Sequence, residues 1–210
     1  MQLLHLQYDE VMNGTFTTQK VNLLFTFQVN CPGCFAYGFP LVSSIKNKFK
    51  EDIGYLGLST AFEDFELNTA KNTQRLVNSG AVVGETQKMF TSQGIDQYSG
   101  SIDFPIAMDH IIKEQELENN IFVDKICRIN PDFDSWSTLN KELLRQKVRD
   151  YLRQQSKISF TFTANQFRGT PTFIIFNDKM EILHHWFGHI TPTQVEDSLT
   201  AALKAYGLSI

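Results

Sequence analysis

Apolar positions along this chain fall into two rhythms. Residues 21–29, 53–62, 104–108 and 173–176 are short, near-continuous runs of aliphatic, β-branched and aromatic side chains, the pattern of strands buried on both faces. Phe35, Phe39, Val42, Ile45 and Phe49 instead recur every three or four residues. They predict a helix that runs to about Lys50 and bends at Pro40. Val195, Leu199, Leu203 and Tyr206 predict a last helix in the same way. Thr191-Pro192-Thr193-Gln194 opens it as a capping box with proline at the first helical position, and Gly207 ends it.

The remaining segments fill in an α/β chain. Residues 3–8 and 15–22 alternate around the turn dipeptide Asn13-Gly14 and predict an N-terminal β-hairpin. Residues 68–94 read as two short helices broken between Gly80 and Gly84. Asn177-Asp178-Lys179 is the turn of a hairpin whose return strand is 181–187. Residues 113–165 differ and predict a helical insertion. In it Thr138 caps a helix with one apolar stripe of Leu139, Leu143, Val148 and Leu152. The opposite face carries Lys141, Arg145, Lys147, Arg149 and Arg153. That face reads first as a solvated one and second as a docking surface for an acidic protein partner. The expected fold is a central mixed β-sheet flanked by helices, as one domain over 1–210 with the insertion at about 113–165.

Composition narrows the function classes. Hydrophobic residues at 42% and charged residues at 20% of 210 suit a chain that buries a sizeable core. A net charge of −4 leaves no basic footprint for nucleic acid. No apolar run approaches the roughly 20 residues of a membrane span. The first ten residues have neither a basic start nor a long apolar stretch, so the chain is expected in the cytoplasm, a removed leader aside. In that compartment a Cys-x-x-Cys pair serves catalysis or metal binding more often than stapling.

Such a pair stands at Cys31-Pro32-Gly33-Cys34, where the first long strand hands over to the first helix. Unpaired N–H groups and the positive dipole end of a helix N-terminus stabilise a thiolate there. Pro32 costs the helix nothing, because its missing N–H would have been unpaired. Cys31 is then the exposed nucleophile, and Cys34, one turn on, is placed to attack the mixed disulfide. Half of a zinc site is the competing reading, but two further ligands at suitable spacing are not evident. An inert buried pair is the other. No metal is assigned. His184 and His185 fall on opposite faces of one strand, and His189 reads as a satisfied histidine. Trp136 and Trp186 read as packing residues. Cys127 reads as a small half-buried hydrophobe, with a third redox cysteine as the alternative.

Two anchors in order, the strand–Cys31-Pro32-Gly33-Cys34–helix unit and Arg168-Gly169-Thr170-Pro171-Thr172-Phe173 entering a hairpin and last helix, resemble the thioredoxin superfamily. The segment of 53–62, a helical stretch and 104–108 is similar to its TlpA-like and peroxiredoxin-like branch. The resemblance covers roughly 15–112 and 166–207. It implies a cis-proline at Pro171 beside the disulfide, with Pro32, Gly33, Thr170 and Pro171 as substrate-binding residues. It also implies a thiol–disulfide oxidoreductase active in redox homeostasis. Its partners would be a disulfide-containing protein or small molecule and an upstream thiol reductant, and it would need no cofactor because the two sulfurs carry the electrons. The chain departs from thioredoxins in carrying Asn30 where they have tryptophan and Phe25 where they have a buried acid. Tyr37 stands where TlpA-like reductases often place an acid. A backbone carbonyl, a water or Glu63 would then accept the Cys34 proton.

Two other functions stay open at this level. One is a thiol peroxidase, although Leu24 and Gln28 hold the positions where peroxiredoxins have proline and threonine or serine. The other is a non-catalytic binding module whose insertion docks a partner.

Overall fold

The computed structural model describes residues 2–208. Strands β1 (Tyr8–Asn13), β2 (Val21–Phe27), β3 (Gly54–Ser59), β4 (Ile106–Asp109), β5 (Thr172–Asn177) and β6 (Ile182–Phe187) form a six-stranded sheet in the order β1-β4-β3-β2-β5-β6. β2 lies parallel to β3 and antiparallel to β5, and β3 is parallel to β4. Every residue of β2 is buried, which is why its sequence is apolar without alternation apart from Asn22 and Thr26.

Alternation is instead between two apolar layers. Val21, Leu23, Phe25 and Phe27 face the layer made by α1 (Phe39–Phe49), α2 (Ala70–Ser79), α3 (Gly84–Ser92) and α8 (Pro192–Ala205). Leu24 faces the other way, onto Leu56, Leu58, Ile174, Phe176, Leu4 and Phe167. α8 forms because Thr191 and Gln194 cap each other's backbone reciprocally. It holds because Val195, Leu199 and Leu203 are buried, each contributing about 1.5–3 kcal/mol. Tyr206 is not part of that face. It is exposed past the helix end, and its hydroxyl accepts from Asn177 Nδ2 at 2.7 Å.

The expected N-terminal hairpin does not form. β1 ends near Asn13-Gly14 as expected, but it pairs antiparallel with β4 and is separated from β2 by β4 and β3. Both edges of β2 are taken by β3 and β5, and β1 instead adds to the outer edge of β4. Met12 is accordingly the one buried residue of β1. Residues before β1 run beside the β5–β6 turn, where Leu4 N–H donates to the Met180 carbonyl at 2.7 Å.

The segment 113–165 is helical: α4 (Glu114–Leu117), α5 (Asn120–Cys127), α6 (Thr138–Arg153) and α7 (Phe160–Ala164). Its apolar stripe differs from the expected one. Leu139 and Leu143 are exposed, whereas Leu144, Val148 and Leu152 face inward. Ser137 rather than Thr138 caps α6, its Oγ accepting from Asn140 N–H at 3.3 Å. The basic face is not simply solvated either. Arg145 forms a bidentate pair with Asp124 at 2.6 and 2.9 Å. Arg149 is buried, donating to the Leu117 carbonyl at 3.0 Å and to Glu142 at 3.1 Å. These cations fasten α6 to α4 and α5, which turns the apolar stripe by part of a turn. Cys127 is fully enclosed beside Val123 and Phe133, so the half-buried placement is corrected to a buried one. Burial pushes its thiol pKa up.

A buried acid joins this region to the sheet. Asp109, the last residue of β4, accepts from Thr161 N–H at 2.8 Å, Phe162 N–H at 3.1 Å and Thr60 Oγ1 at 2.9 Å. His110, next in sequence, bridges Asp9 before α4 and Glu116 within it.

Candidate active site

The C-terminal ends of β2 and β3 and the N-terminal end of β5 meet on one side of the sheet, and the candidate residues lie there. β2 ends at Phe27, and the chain turns through Gln28–Asn30 so that Cys31 N–H donates to the Gln28 carbonyl at 3.2 Å. Helical backbone starts at Pro32, the position proline tolerates best, and Cys34 N–H closes the first turn on the Cys31 carbonyl at 3.0 Å. Cys34–Gly38 is a π-helical turn, in which Phe39 N–H reaches back five residues to the Cys34 carbonyl. The wide turn lies just ahead of Pro40, which has no N–H to continue the regular ladder. The expected bend at Pro40 is thus taken up as a π-bulge.

The sulfurs of Cys31 and Cys34 are 2.8 Å apart, both cysteines being free thiols, with the Cys34 thiol donating to Cys31. That hydrogen bond draws the Cys31 pKa down to about 6, against the opposing effect of burial. The Thr170 side chain and the Cys34 and Gly33 backbone add to the lowering. Cys34 is completely buried, and burial pushes its pKa well above the ordinary thiol range; the bond it donates to Cys31 reinforces this. The two thiols therefore differ in the direction a nucleophile and a resolving partner require.

The second wall comes from the β5 approach. The Thr170–Pro171 peptide bond is cis, and Cys31 Sγ lies 3.4 Å from the Thr170 carbonyl. Pro32, Gly33, Thr170 and Pro171 are thus brought to the dithiol. Tyr37 folds back over Gly33, where its Oη would stand 2.6 Å from an added Cβ, and its ring meets His189 edge-on at 5.0 Å. Phe187, half exposed, covers Gly169.

Several residues that position this loop carried little sequence signal. Asn30 fills the place of the absent tryptophan. Its Oδ1 accepts from Glu85 N–H at 2.6 Å at the start of α3, and its Nδ2 donates to Asp64 at 2.7 Å. Gly84 is required beside it, at φ +55° and with a would-be Cβ only 2.1 Å from Asn30 Oδ1. Asn68 Oδ1 accepts from Asn30 N–H at 3.0 Å. Gln28 is buried under the pair, donating to the Glu63 carbonyl at 3.4 Å and accepting from Thr170 Oγ1 at 3.4 Å. Glu63 itself is exposed, and what it offers toward the dithiol is that carbonyl through Gln28. Phe25, where thioredoxins carry a buried acid, stacks on Phe27 and Phe173 and abuts Gly38. The signal available in sequence was one of position: polar Gln28 and Asn30 close an otherwise apolar run.

This β-α-β unit, dithiol at the helix start, then antiparallel hairpin and last helix, fixes the architecture. The fold is thioredoxin-like. A solved structure described as a thioredoxin-like superfamily protein matches over 97% of this chain and 97% of its own, with 19% identity and a TM-score of 0.59. A thiol-disulfide isomerase from Corynebacterium glutamicum matches over 96% of both chains, with 20% identity and a TM-score of 0.58. No protein-family model matches the sequence, and no curated relative does. Both structural matches span the insertion as well as the thioredoxin-like elements, so the additional helices belong to an architecture that recurs. Among the described residues no cluster of three or more His, Cys, Asp or Glu is arranged to hold a metal. No described helix is long and apolar enough to cross a membrane.

Proposed function

We propose that the protein is a thiol–disulfide oxidoreductase acting through Cys31 and Cys34. The observation that carries this is the opposed ionisation of two sulfurs 2.8 Å apart, Cys31 lowered to about 6 and Cys34 raised by burial. At neutral pH Cys31 is largely thiolate. It attacks one sulfur of a substrate disulfide, forming a Cys31–substrate disulfide and expelling the other sulfur as a thiolate. Cys34 then gives up its proton and attacks Cys31 Sγ, so that the Cys31–Cys34 bond forms and the second substrate sulfur leaves as a thiol. The substrate disulfide gains two electrons and the protein loses two. A dithiol or two monothiols of an upstream reductant restore the starting state, and reversing the steps oxidises a substrate dithiol.

The walls suit an extended disulfide-bearing substrate. Thr170 presents its backbone beside Cys31, while Tyr37, His189 and Phe187 offer apolar and aromatic surface around it. Pro32 and Gly33 keep the first helical turn free of bulk. The similarity to a thiol-disulfide isomerase supports the same class of chemistry.

The test is the rate of Cys31 alkylation by iodoacetamide against pH, read by mass spectrometry. The expected midpoint is near pH 6, with Cys34 unmodified, and Cys31→Ser abolishes disulfide reduction. Cys34→Ser should instead accumulate the mixed disulfide. An alkylation midpoint at the ordinary thiol value of about 8.5, or full reduction of insulin by Cys31→Ser protein, would overturn the proposal.

A further inference from the structure

A second concavity opens where α6 and α7 lie over the end of β3. It encloses about 510 Å³, within the size range of small-molecule sites. Its floor is aromatic. Phe62 stacks on Phe162 at 4.2 Å, and Phe162 meets Phe167 edge-on at 6.0 Å. One face of α6 forms a wall, with Lys147, Val148, Tyr151, Leu152 and Gln155 at the spacing that puts side chains on one side of a helix. Lys157, beyond the helix, faces the same opening.

Charge decides what this pocket takes. The chain has more acids than bases, 23 against 19, yet the only charged side chains lining the pocket are Lys147 and Lys157. Arg145, Arg149 and Arg153 on the same helix are each paired with carboxylates. Among the described residues neither pocket lysine has a carboxylate within ion-pair range. Tyr151, Gln155, Thr163 and Gln166 add neutral polar groups to the same lining. Ser159 is already occupied, donating to the Ala61 carbonyl at 2.7 Å and accepting from Ala61 N–H at 3.1 Å. An apolar, aromatic floor beneath a rim of two ammonium groups without carboxylate partners, that of Lys157 lying 5.9 Å from the Phe65 ring, suits a molecule with a flat or aliphatic body and one anionic end. A neutral apolar ligand would leave both cations unused. A highly charged one would strand its charge against phenylalanine rings.

We propose that this pocket binds a small amphipathic carboxylic acid, its apolar body on Phe62, Phe162 and Phe167 and its carboxylate between Lys147 and Lys157. The pocket is separate from the dithiol, and two of its residues adjoin segments that position the dithiol. Phe62 directly precedes Glu63, whose carbonyl holds Gln28, and Phe167 leads into the Gly169–Pro171 approach.

Isothermal titration of Cys31→Ser protein with 2-naphthoate, and with 2-naphthol as its neutral counterpart, tests this without depending on the redox reading. The expected result is saturable one-site binding of 2-naphthoate at least tenfold tighter than 2-naphthol. The double variant Lys147→Glu/Lys157→Glu, both at exposed positions, should remove that preference while leaving 2-naphthol binding within twofold. Thr163→Trp, which fills the pocket from its rim, should abolish binding of both. The proposal is overturned if 2-naphthol binds as tightly as the acid, or if charge reversal leaves 2-naphthoate affinity unchanged. It is equally overturned if a glutamate-rich peptide binds where 2-naphthoate does not, which would make the site a protein-docking surface.

Discussion

The ends of β2 and β4 handle buried ionisable groups in opposite ways. At β2 the half-buried Cys31 and buried Cys34 are surrounded by neutral partners: the Thr170 carbonyl, the Gln28 amide and the phenylalanines beneath them. At β4 a buried carboxylate, Asp109, meets two backbone N–H groups and a hydroxyl, and His110 is bridged between two further acids. Thioredoxins carry a buried acid a short way upstream of the dithiol, where this chain has Phe25. Here the buried acid is two strands away, where it fastens the helical segment to the sheet. A carboxylate in the core therefore does not announce its role by burial alone; the groups that satisfy it do.

The sharpest way to break this contrast is Asp109→Ala. Two backbone N–H groups and a buried hydroxyl would lose their acceptor, at about 1–3 kcal/mol each. Relief of the buried charge offsets part of this, leaving a net loss of about 3 kcal/mol. Denaturant unfolding should show that loss, while the Cys31 alkylation midpoint of the folded variant stays where it was. A midpoint that moved with Asp109 would mean the two strand ends are coupled.

Gln28→Glu brings a charge to the neutral end. A carboxylate beside the pair should raise the Cys31 pKa by about 1 unit through like-charge repulsion. It should also supply a nearby base for Cys34 and so speed resolution of the mixed disulfide near neutral pH. Alkylation kinetics and stopped-flow resolution measure the two effects separately. An unchanged pKa would show that Gln28 does not face the sulfurs closely enough to matter.

The smallest effect is the pH dependence of stability at the charged end. Burial raises the Asp109 pKa from 3.8 to about 6, so the native state keeps this proton longer than the unfolded chain does. Its contribution falls as pH rises from about 4 through about 6. For His110, burial opposes the charged form, but the hydrogen bonds to Asp9 and Glu116 prevail and its pKa is raised. Its stabilisation is complete below the ordinary histidine value and is lost as pH rises through the raised one. Both act with the same sign. The lowered Cys31 pKa acts oppositely, adding stability as pH rises from about 6 toward 9. Burial lowers the pKa values of His5 and His185, which therefore add stability as pH rises over the same range. Cys31→Ser/His5→Gln/His185→Gln protein isolates the former pair, and its unfolding free energy should drop by roughly 1–2 kcal/mol between about pH 5.5 and about pH 8. A rise over that window would reverse the assignment.

Much of the frame was legible because it depends on local pattern. The buried strands, the helix after Cys31, the capping box at Thr191 and the turn at Asn177 are written in neighbouring residues. The errors share a cause: each required knowing what lies across from a segment. Tyr8–Asn13 reads as half of a hairpin until β2 is seen to have no free edge. Leu139 and Leu143 read as core until Arg145 and Arg149 are seen to face Asp124 and the Leu117 carbonyl. Glu63, one of three candidate proton acceptors with a backbone carbonyl and a water, has an exposed side chain and meets Gln28 through its carbonyl.

The sequence by itself determined the chemistry on offer, because a thiol pair with two residues between them at a helix start follows from the order of residues along one strand and one turn. Only tertiary structure decided how that chemistry is tuned. The hydrogen bond between the sulfurs, the enclosure of Cys34 and the approach of Thr170 depend on burial and on contacts across well over a hundred residues, and ionisation responds to that surrounding medium rather than to neighbours in the chain.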